Sequence, residues 1–478
     1  MSNLLTLFGN RPSLASLIIP AGALAVYSVV KTPSWAGACV RIERASDSTQ
    51  LDIGFTSSGY MDTVAALAFA AGSVIRIATW YDQSGNGYDA TATTGWPTII
   101  SGNTIGGVQP ITFIASTGFS NLKLNIPAGL TVSTQSFTAC MAFGGGGGLA
   151  NHNGLFSLGT QVNIWWEKYA GVLQSNSAAT FAGGDKKKFT PRQAQVDSMI
   201  LSGDAAGKYM RHNGNDQSVA AYTAANPAGA TIGTGSVVTT TALEIFAFVV
   251  YGTAISAGDK TIVDNGFKTA FKAFTPFTSK IFYDGDSITA GFTVGAYGYG
   301  WPRVVSTVNG QNAAVYNVAV PGSSMNTCNI NRAQITGRYD SAYAKNVSVI
   351  HAGTNDIDNR ASGTIVGWGT TVWTTYTLPY IQAMIAAGFT RVIVGTAIAR
   401  TFAGSAQDKL DKEAERLVYN QLIRDNAAPE NFTVLDFAGL AGMSVSTNLT
   451  YFVDGVHPTR VGYNVMGTYA APIIAAYT

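Results

Sequence analysis

From residue 280 onward five short apolar runs punctuate the chain, and their spacing constrains the fold more than any other feature. They are KIFYDG (280–285), VYNVAV (315–320), VSVIHAG (347–353), RVIVGTA (391–397) and FTVLDFAG (432–439). Each has the length of a buried strand, and longer segments with helical periodicity separate them. The clearest helix is 406–426, with Leu410, Ala414, Leu417, Asn420 and Gln421 on one side and charges on the other. Strands alternating with helices predict a parallel sheet covered on both faces.

In such a sheet the loops that follow the strands gather at one edge, and sites form there. The first run delivers Gly285-Asp286-Ser287-Ile288, with glycine permitting a sharp turn and the serine presenting both its hydroxyl and its backbone N–H. Both groups serve acyl transfer. Gly-Asp-Ser alone is more often an ordinary turn. What gives it weight is the company it keeps. The second run leads into Asn317-Val-Ala-Val-Pro-Gly322-Ser-Ser and the third into Gly353-Thr354-Asn355-Asp356. Near the end stands Asp454-Gly-Val-His457-Pro458-Thr459. The chain holds only four histidines (152, 212, 351 and 457), so a chance completion of this pattern is improbable, and His351 reads as structural. Asp454 and His457 alone would equally suit a hydrogen-bonded pair at a helix start, with Pro458 marking the first turn. Asp356 and Asp358 lack the further ligands a metal needs, and Asp356 reads as holding its loop.

These four blocks, in this order, resemble the SGNH (GDSL-type) hydrolase superfamily over essentially all of 280–478. The resemblance implies an α/β/α, flavodoxin-like domain with a parallel sheet and a serine esterase activity. Carried over residue by residue, it makes Ser287 the nucleophile, His457 the general base and Asp454 the carboxylate that orients the imidazole. The oxyanion hole would comprise the backbone N–H groups of Ser287 and Gly322 and the side-chain amide of Asn355. No cofactor and no metal are implied. Between the first two blocks, Tyr297, Tyr299 and Trp301 stand on a Gly-rich loop where their rings could stack on a sugar. The bland reading of Trp301 is that it starts the next helix and packs inward.

Residues before 276 have a different texture. SFTACMAF (136–143), GLFSLG (154–159), VNIWWEKY (162–169), DSMILSG (197–203), GKYMRHNG (207–214) and ALEIFAFVVYG (242–252) are strand-like runs bounded by turn residues. That pattern predicts an antiparallel all-β sandwich. A helix is predicted at 61–71, a strand at 73–80 and a further helix at 258–274. The segments VRIERASDSTQLDIGF (40–55) and TWYDQSGNGYDAT (79–91) resemble the start of the catalytic domain of B-class α-L-arabinofuranosidases. The stretch from Thr231 to about 267 resembles the end of concanavalin- or laminin-G-like lectin domains. No catalytic carboxylate carries over, and Glu167, the most tempting acid, lacks a partner at a defined separation. The Tyr81–Gly87 cluster is equally a structural Asp/Asn turn. Trp165 and Trp166 are adjacent, so in a strand they face opposite ways and at most one serves as a sugar platform on a given surface.

A multidomain chain follows: an N-terminal segment 1–22, a lectin-like sandwich 23–275 and a hydrolase domain 276–478. At 478 residues the chain exceeds one ordinary core. Charged residues make up 12 % and the net charge is +2, which gives no reason to expect nucleic acid or an anionic membrane as partner. The basic run at Lys186, Lys187 and Lys188 reads as a solvated loop. Three cysteines allow no disulfide framework and no metal-ligand spacing. No segment is apolar for long enough to span a bilayer. The run 14–30 has the length of a signal peptide's apolar core, but Pro20 and Gly22 interrupt it. The expected activity is removal of O-acyl groups, O-acetyl foremost, from a polysaccharide or other glycan. The setting is extracellular or virion-associated, with a virion tail or a homo-oligomer as the larger assembly. The alternatives are a glycosidase in the N-terminal half, or a phage receptor-binding or structural tail protein carrying an inactive hydrolase domain.

Overall fold

The computed structural model describes residues 16–93, 95–101, 104–105, 107–114, 123–130, 132, 136–145, 152–158, 162–167, 172–174, 196–204, 207–212, 215–217, 230–233, 242–271, 277–292, 300–310 and 312–478. Among these the N-terminal half forms two antiparallel sheets. The first has the strand order Ala23–Ser28, Ala242–Tyr251, Phe137–Gly145, Asp197–Asp204, Gly207–His212 and Asn215–Gln217, with Ile111–Ile114 also paired to Ala242–Tyr251. The second runs Val172–Gln174, Val162–Glu167, His152–Leu158, Ala230–Gly233, Lys123–Ile126, Ala90–Thr91, Ile75–Trp80, Val40–Arg44 and Gln50–Ile53. Their inner faces share one core. Tyr27 and Phe248 of the first sheet meet Trp80 and Phe156 of the second, with ring centroids 6.0 Å apart for Tyr27–Trp80 and 5.0 Å for Phe156–Phe248. This is the packing of a β-sandwich.

The Tyr81–Gly87 turn is structural. Asp82 is buried, and its carboxylate accepts from the backbone N–H groups of Val26, Ser84 and Tyr88 and from the Ser84 hydroxyl. One carboxylate thus ties the turn to the Ala23–Ser28 strand and leaves little of itself for chemistry. The apolar run 14–30 lies partly in that strand, and Leu17 is buried in the core.

In the C-terminal half five strands pair in parallel in the order Ala314–Asn317, Ser279–Gly285, Lys345–His351, Arg391–Gly395 and Thr433–Leu435. Side chains of the Ser279–Gly285 strand alternate between two cores, as the pleat requires. Phe282 packs with Tyr380, Ile381, Tyr419 and Ile423 on one face. Ile281 and Tyr283 pack with Trp301, Tyr463, Met466 and Ile474 on the other. The first strand in sequence therefore has the second on one side and the third on the other. That is the switch point of a flavodoxin-like order, where its carboxyl end opens into a crevice.

The 406–426 helix forms over Ala406–Asn426, capped by Ser405 and Asp408 in a reciprocal capping box. Its orientation largely reverses the sequence-based expectation, Asn420 alone of the five residues on the expected side being buried. Leu410 and Leu417 are exposed, whereas Lys412, Glu415, Arg416, Tyr419, Asn420 and Ile423 are buried. The reason is hydrogen bonding. Glu415 accepts from the backbone N–H groups of Gly367 and Gly369, Arg416 donates to the Ala397 carbonyl, and Lys412 donates to the Asp358 and Ala403 carbonyls. The charged face anchors loops, so apolar periodicity marks the wrong side.

Among the described residues, a buried ion pair and a hydrogen bond join the halves. Glu244 of the Ala242–Tyr251 strand pairs with Arg303 of the Trp301–Val308 helix at 2.5 Å, both side chains being buried. Arg460, at the start of the Arg460–Ala475 helix, donates to the Ser101 carbonyl at 2.6 Å.

Candidate active site

The Ser279–Gly285 strand is buried throughout and ends at a glycine that no other residue replaces without a clash. Gly285 has φ +148°, and a Cβ there would lie 2.2 Å from the His351 carbonyl oxygen. Asp286 then caps the short Ser287–Ala290 helix by accepting from the Ile288 N–H at 2.9 Å. Ser287 is the one half-buried residue at this turn among buried neighbours, so its hydroxyl faces the crevice.

The structure brings Ser287, His457 and Asp454 together across 170 residues of sequence. Ser287 Oγ lies 2.8 Å from His457 Nε2, and His457 Nδ1 lies 2.7 Å from Asp454 Oδ2. Asp454 Oδ1 also accepts from the backbone N–H groups of Val456 and His457. Burial works against the charged carboxylate, but these N–H groups and the imidazole outweigh it and hold Asp454 below its ordinary value. The Arg460–Ala475 helix starts two residues after Pro458, with Thr459 as its cap. Phe292 packs edge-on against the His457 ring at 4.4 Å, and the Tyr463 hydroxyl holds the Phe292 carbonyl. This linear arrangement can pass a proton from a serine hydroxyl to an imidazole steadied by a carboxylate.

The second and third loops are stitched to the first. Val318 and Val320 donate to the carbonyls of Tyr283 and Gly285, and Asn317 Nδ2 donates to the Thr289 carbonyl. Asp356 accepts from the backbone N–H groups of Met325 and Asn326, so it holds its loop against the second one. Gly322 sits at φ +79°, and neither its N–H nor that of Ser287 is engaged by a described residue. Asn355 Nδ2 donates to the Ser323 carbonyl at 2.9 Å, which uses one of its two hydrogens. Its Oδ1 accepts from Arg400 Nη1 at 2.8 Å.

Two buried acids, Asp286 next to the serine in sequence and Asp356 in the third loop, lie close enough for their charges to interact. Burial pushes Asp286 up to about 7 and Asp356 up to about 6, opposed in Asp286 by the Ile288 N–H and the charge of Arg400. Burial also pushes His351 down to about 4, so it stays neutral between Trp301 and Phe437. Arg400 is a contributor that motif reading passes over. The signal for Arg400 was a single charge directly after the apolar stretch 392–399, on the same edge as the motif loops.

Trp301 is a correction. It is fully buried against Tyr283, Phe437 and His351, with centroids 5.2, 4.9 and 6.2 Å away, so it cannot stack on a sugar. It begins its helix and packs inward because the opposite face of the first strand needs filling. Tyr297 and Tyr299 lie outside the described residues, as do the side chains of Trp165, Trp166 and Glu167.

Residues 285–465 match the family model of GDSL-like lipases/acylhydrolases, and residues 20–111 match that of the catalytic domain of α-L-arabinofuranosidase B. No curated protein matches the chain. Among solved structures, a lipolytic protein of the G-D-S-L family from Veillonella parvula is 24 % identical with a TM-score of 0.35, the match covering 41 % of this chain and 98 % of that one. A lipase/acylhydrolase from Enterococcus faecalis is 19 % identical with a TM-score of 0.31, over 41 % and 96 %. An arabinofuranosidase complexed with arabinofuranosyl-α-1,2-xylobiose is 16 % identical with a TM-score of 0.43, over 52 % and 63 %. The chain thus spans less than two thirds of that arabinofuranosidase.

Proposed function

We propose that the GDSL-like region is a serine esterase that removes O-acyl groups, O-acetyl foremost, from a polysaccharide. The β-sandwich half would hold the glycan or anchor the chain in a larger assembly such as a virion tail. The observation that carries this reading is the continuous hydrogen-bond chain from Asp454 through His457 to Ser287 at the switch point of the sheet. Ser287 Oγ attacks the acyl carbonyl carbon while its proton moves to His457 Nε2, and Asp454 stabilises the imidazolium. The oxyanion is received by the N–H groups of Ser287 and Gly322 and by the second hydrogen of Asn355 Nδ2. Collapse breaks the ester C–O bond, and His457 returns the proton to the departing sugar hydroxyl. Water, deprotonated by the same imidazole, then releases the acid from Ser287. A carbohydrate substrate is supported by association alone, through the arabinofuranosidase match in the other half. The test is hydrolysis of p-nitrophenyl acetate and release of acetate from a panel of acetylated polysaccharides, each with wild type and Ser287→Ala. Equal rates for the two chains reject the esterase reading.

The match over 20–111 favours glycoside hydrolysis as a second reading. Its acids are occupied structurally, however. Glu43 binds Arg76 and Gln50, Asp47 binds Arg44, and Asp52 binds Arg41 and Tyr81. Asp62 caps a helix, Asp82 ties its turn, and Asp89 accepts from the Asp82 N–H. Arabinofuranoside cleavage that survives Ser287→Ala would promote this reading.

A further inference from the structure

Arg400 lies in the loop that follows the Arg391–Gly395 strand, with its side chain largely buried. Nη1 donates to Asn355 Oδ1 at 2.8 Å and Nη2 to Asp358 Oδ2 at 2.5 Å, while Nε finds no acceptor among the described residues. Asp358 is itself held, since Oδ1 accepts from the Ala403 N–H at 2.9 Å and Lys412 Nζ stands 3.6 Å from it. Lys412 also binds the carbonyls of Asp358 and Ala403, which closes the loop around Arg400. The guanidinium is therefore fixed before any substrate arrives.

A carboxamide has two unlike ends. With Oδ1 of Asn355 committed to a guanidinium, Nδ2 must face the opposite way, one hydrogen on the Ser323 carbonyl and the other without a partner among the described residues. A flipped amide would set NH₂ against the guanidinium donors and its oxygen against the Ser323 carbonyl, losing two hydrogen bonds, one of them charge-assisted. The cation also draws electron density from the amide and strengthens the N–H donor.

We infer that Arg400 is a positioning residue for the oxyanion hole, acting through Asn355; the inference rests on the esterase reading above. It sets the direction of the amide and fastens it to the loop that carries Asp358. The effect it exerts through Asn355 is confined to the step that develops negative charge on the acyl oxygen, so that effect belongs to kcat and not to KM.

The test is a double-mutant cycle on p-nitrophenyl acetate hydrolysis with Arg400→Met, Asn355→Ala and the pair, measuring kcat and KM separately. Asn355→Ala is expected to lower kcat about 10²–10³-fold, the usual cost of one oxyanion donor. Arg400→Met should lower kcat about 10–100-fold with KM within about twofold, as for a misplaced catalytic group. In the Asn355→Ala background the same change should cost less than about threefold, because the group it positions is gone. Arg400→Lys, which reaches one acceptor but lacks the planar fork, should recover part of the loss and controls for collapse of the loop. A Ser287-dependent esterase in which Arg400→Met costs the same factor in both backgrounds, or in which KM alone moves, overturns the inference while leaving the esterase reading intact. Hydrolysis unaffected by Ser287→Ala removes both.

Discussion

The Glu244–Arg303 pair offers a sharp physical test of how the two halves are joined. Both side chains are at most 2 % exposed, and their charged atoms stand 2.5 Å apart. At that separation two unit charges attract by about 7 kcal/mol at an effective dielectric near 20. Desolvating both ions takes back much of this, so the intact pair contributes little net stability, whereas removing Glu244 strands the buried Arg303 guanidinium at about 3–5 kcal/mol. Glu244→Leu alone should destabilise by that amount, Arg303→Met alone should also destabilise, and the double variant should return to within about 1–2 kcal/mol of wild type. Urea titration followed by tryptophan fluorescence reports on both halves, through buried Trp80 in the sandwich and buried Trp301 beside the candidate site. Arg303 sits on the helix that Trp301 begins, so the single variants should also lower esterase kcat as that helix shifts. Single variants costing under about 1 kcal/mol would show that the charges find water or other partners, and a double variant as unstable as the singles would show that packing, not charge, holds the joint.

Two further outcomes follow from the site. Asp454→Asn offers the imidazole a donor where Nδ1 needs an acceptor, which favours the wrong tautomer; kcat should fall about 10²–10⁴-fold with KM little changed, and a loss under about fivefold would remove Asp454 from the mechanism. Asp286 bears on stability: with a folded pKa of about 7 against 3.8 unfolded, the fold retains a proton that the unfolded chain has released, so stability falls as pH rises from about 4 to 7. Asp286→Asn keeps an oxygen for the Ile288 N–H but cannot ionise, so its stability relative to wild type should rise by up to about 3 kcal/mol between pH 5 and pH 8. A constant gap, measured by denaturant titration at the two pH values, would mean that the carboxyl ionises without cost.

The architecture of the C-terminal half was legible because buried parallel strands leave long apolar runs, and because each run ends in turn chemistry that few sequences share. Ser287, Gly322, Asn355, Asp454 and His457 could be named from those loops, and the structure brings Ser287, His457 and Asp454 into one hydrogen-bonded line. What the motifs could not show is orientation. Nothing in the order of residues tells that Asn355 turns its oxygen to Arg400, since that contact joins two loops 45 residues apart. Helix 406–426 misled for a related reason. Its inner face carries Lys412, Glu415 and Arg416 because loop carbonyls and N–H groups wait there, and apolar periodicity is blind to such partners. For Trp301 the sequence left a sugar platform and an inward-packed helix start both open, and a core facing Tyr283 claimed the ring. In the sandwich the runs were visible, but their pairing was not. Ala242–Tyr251 inserts between Ala23–Ser28 and Phe137–Gly145, an arrangement set by contacts more than 200 residues apart along the chain for its outer neighbour. The short strands Lys123–Ile126 and Ala230–Gly233 carry too few residues to show a period.

The central claim is that Ser287 is a nucleophile activated by His457. A serine-directed fluorophosphonate, followed by intact-mass measurement and peptide mapping, tests it without any assumption about the glycan. One equivalent should attach to Ser287 in the wild-type chain, attachment should slow at least about a hundredfold in His457→Ala, as expected when the general base is lost, and Ser287→Ala should take up none. Labelling that falls on another serine, or that proceeds at the same rate without His457, would contradict the account.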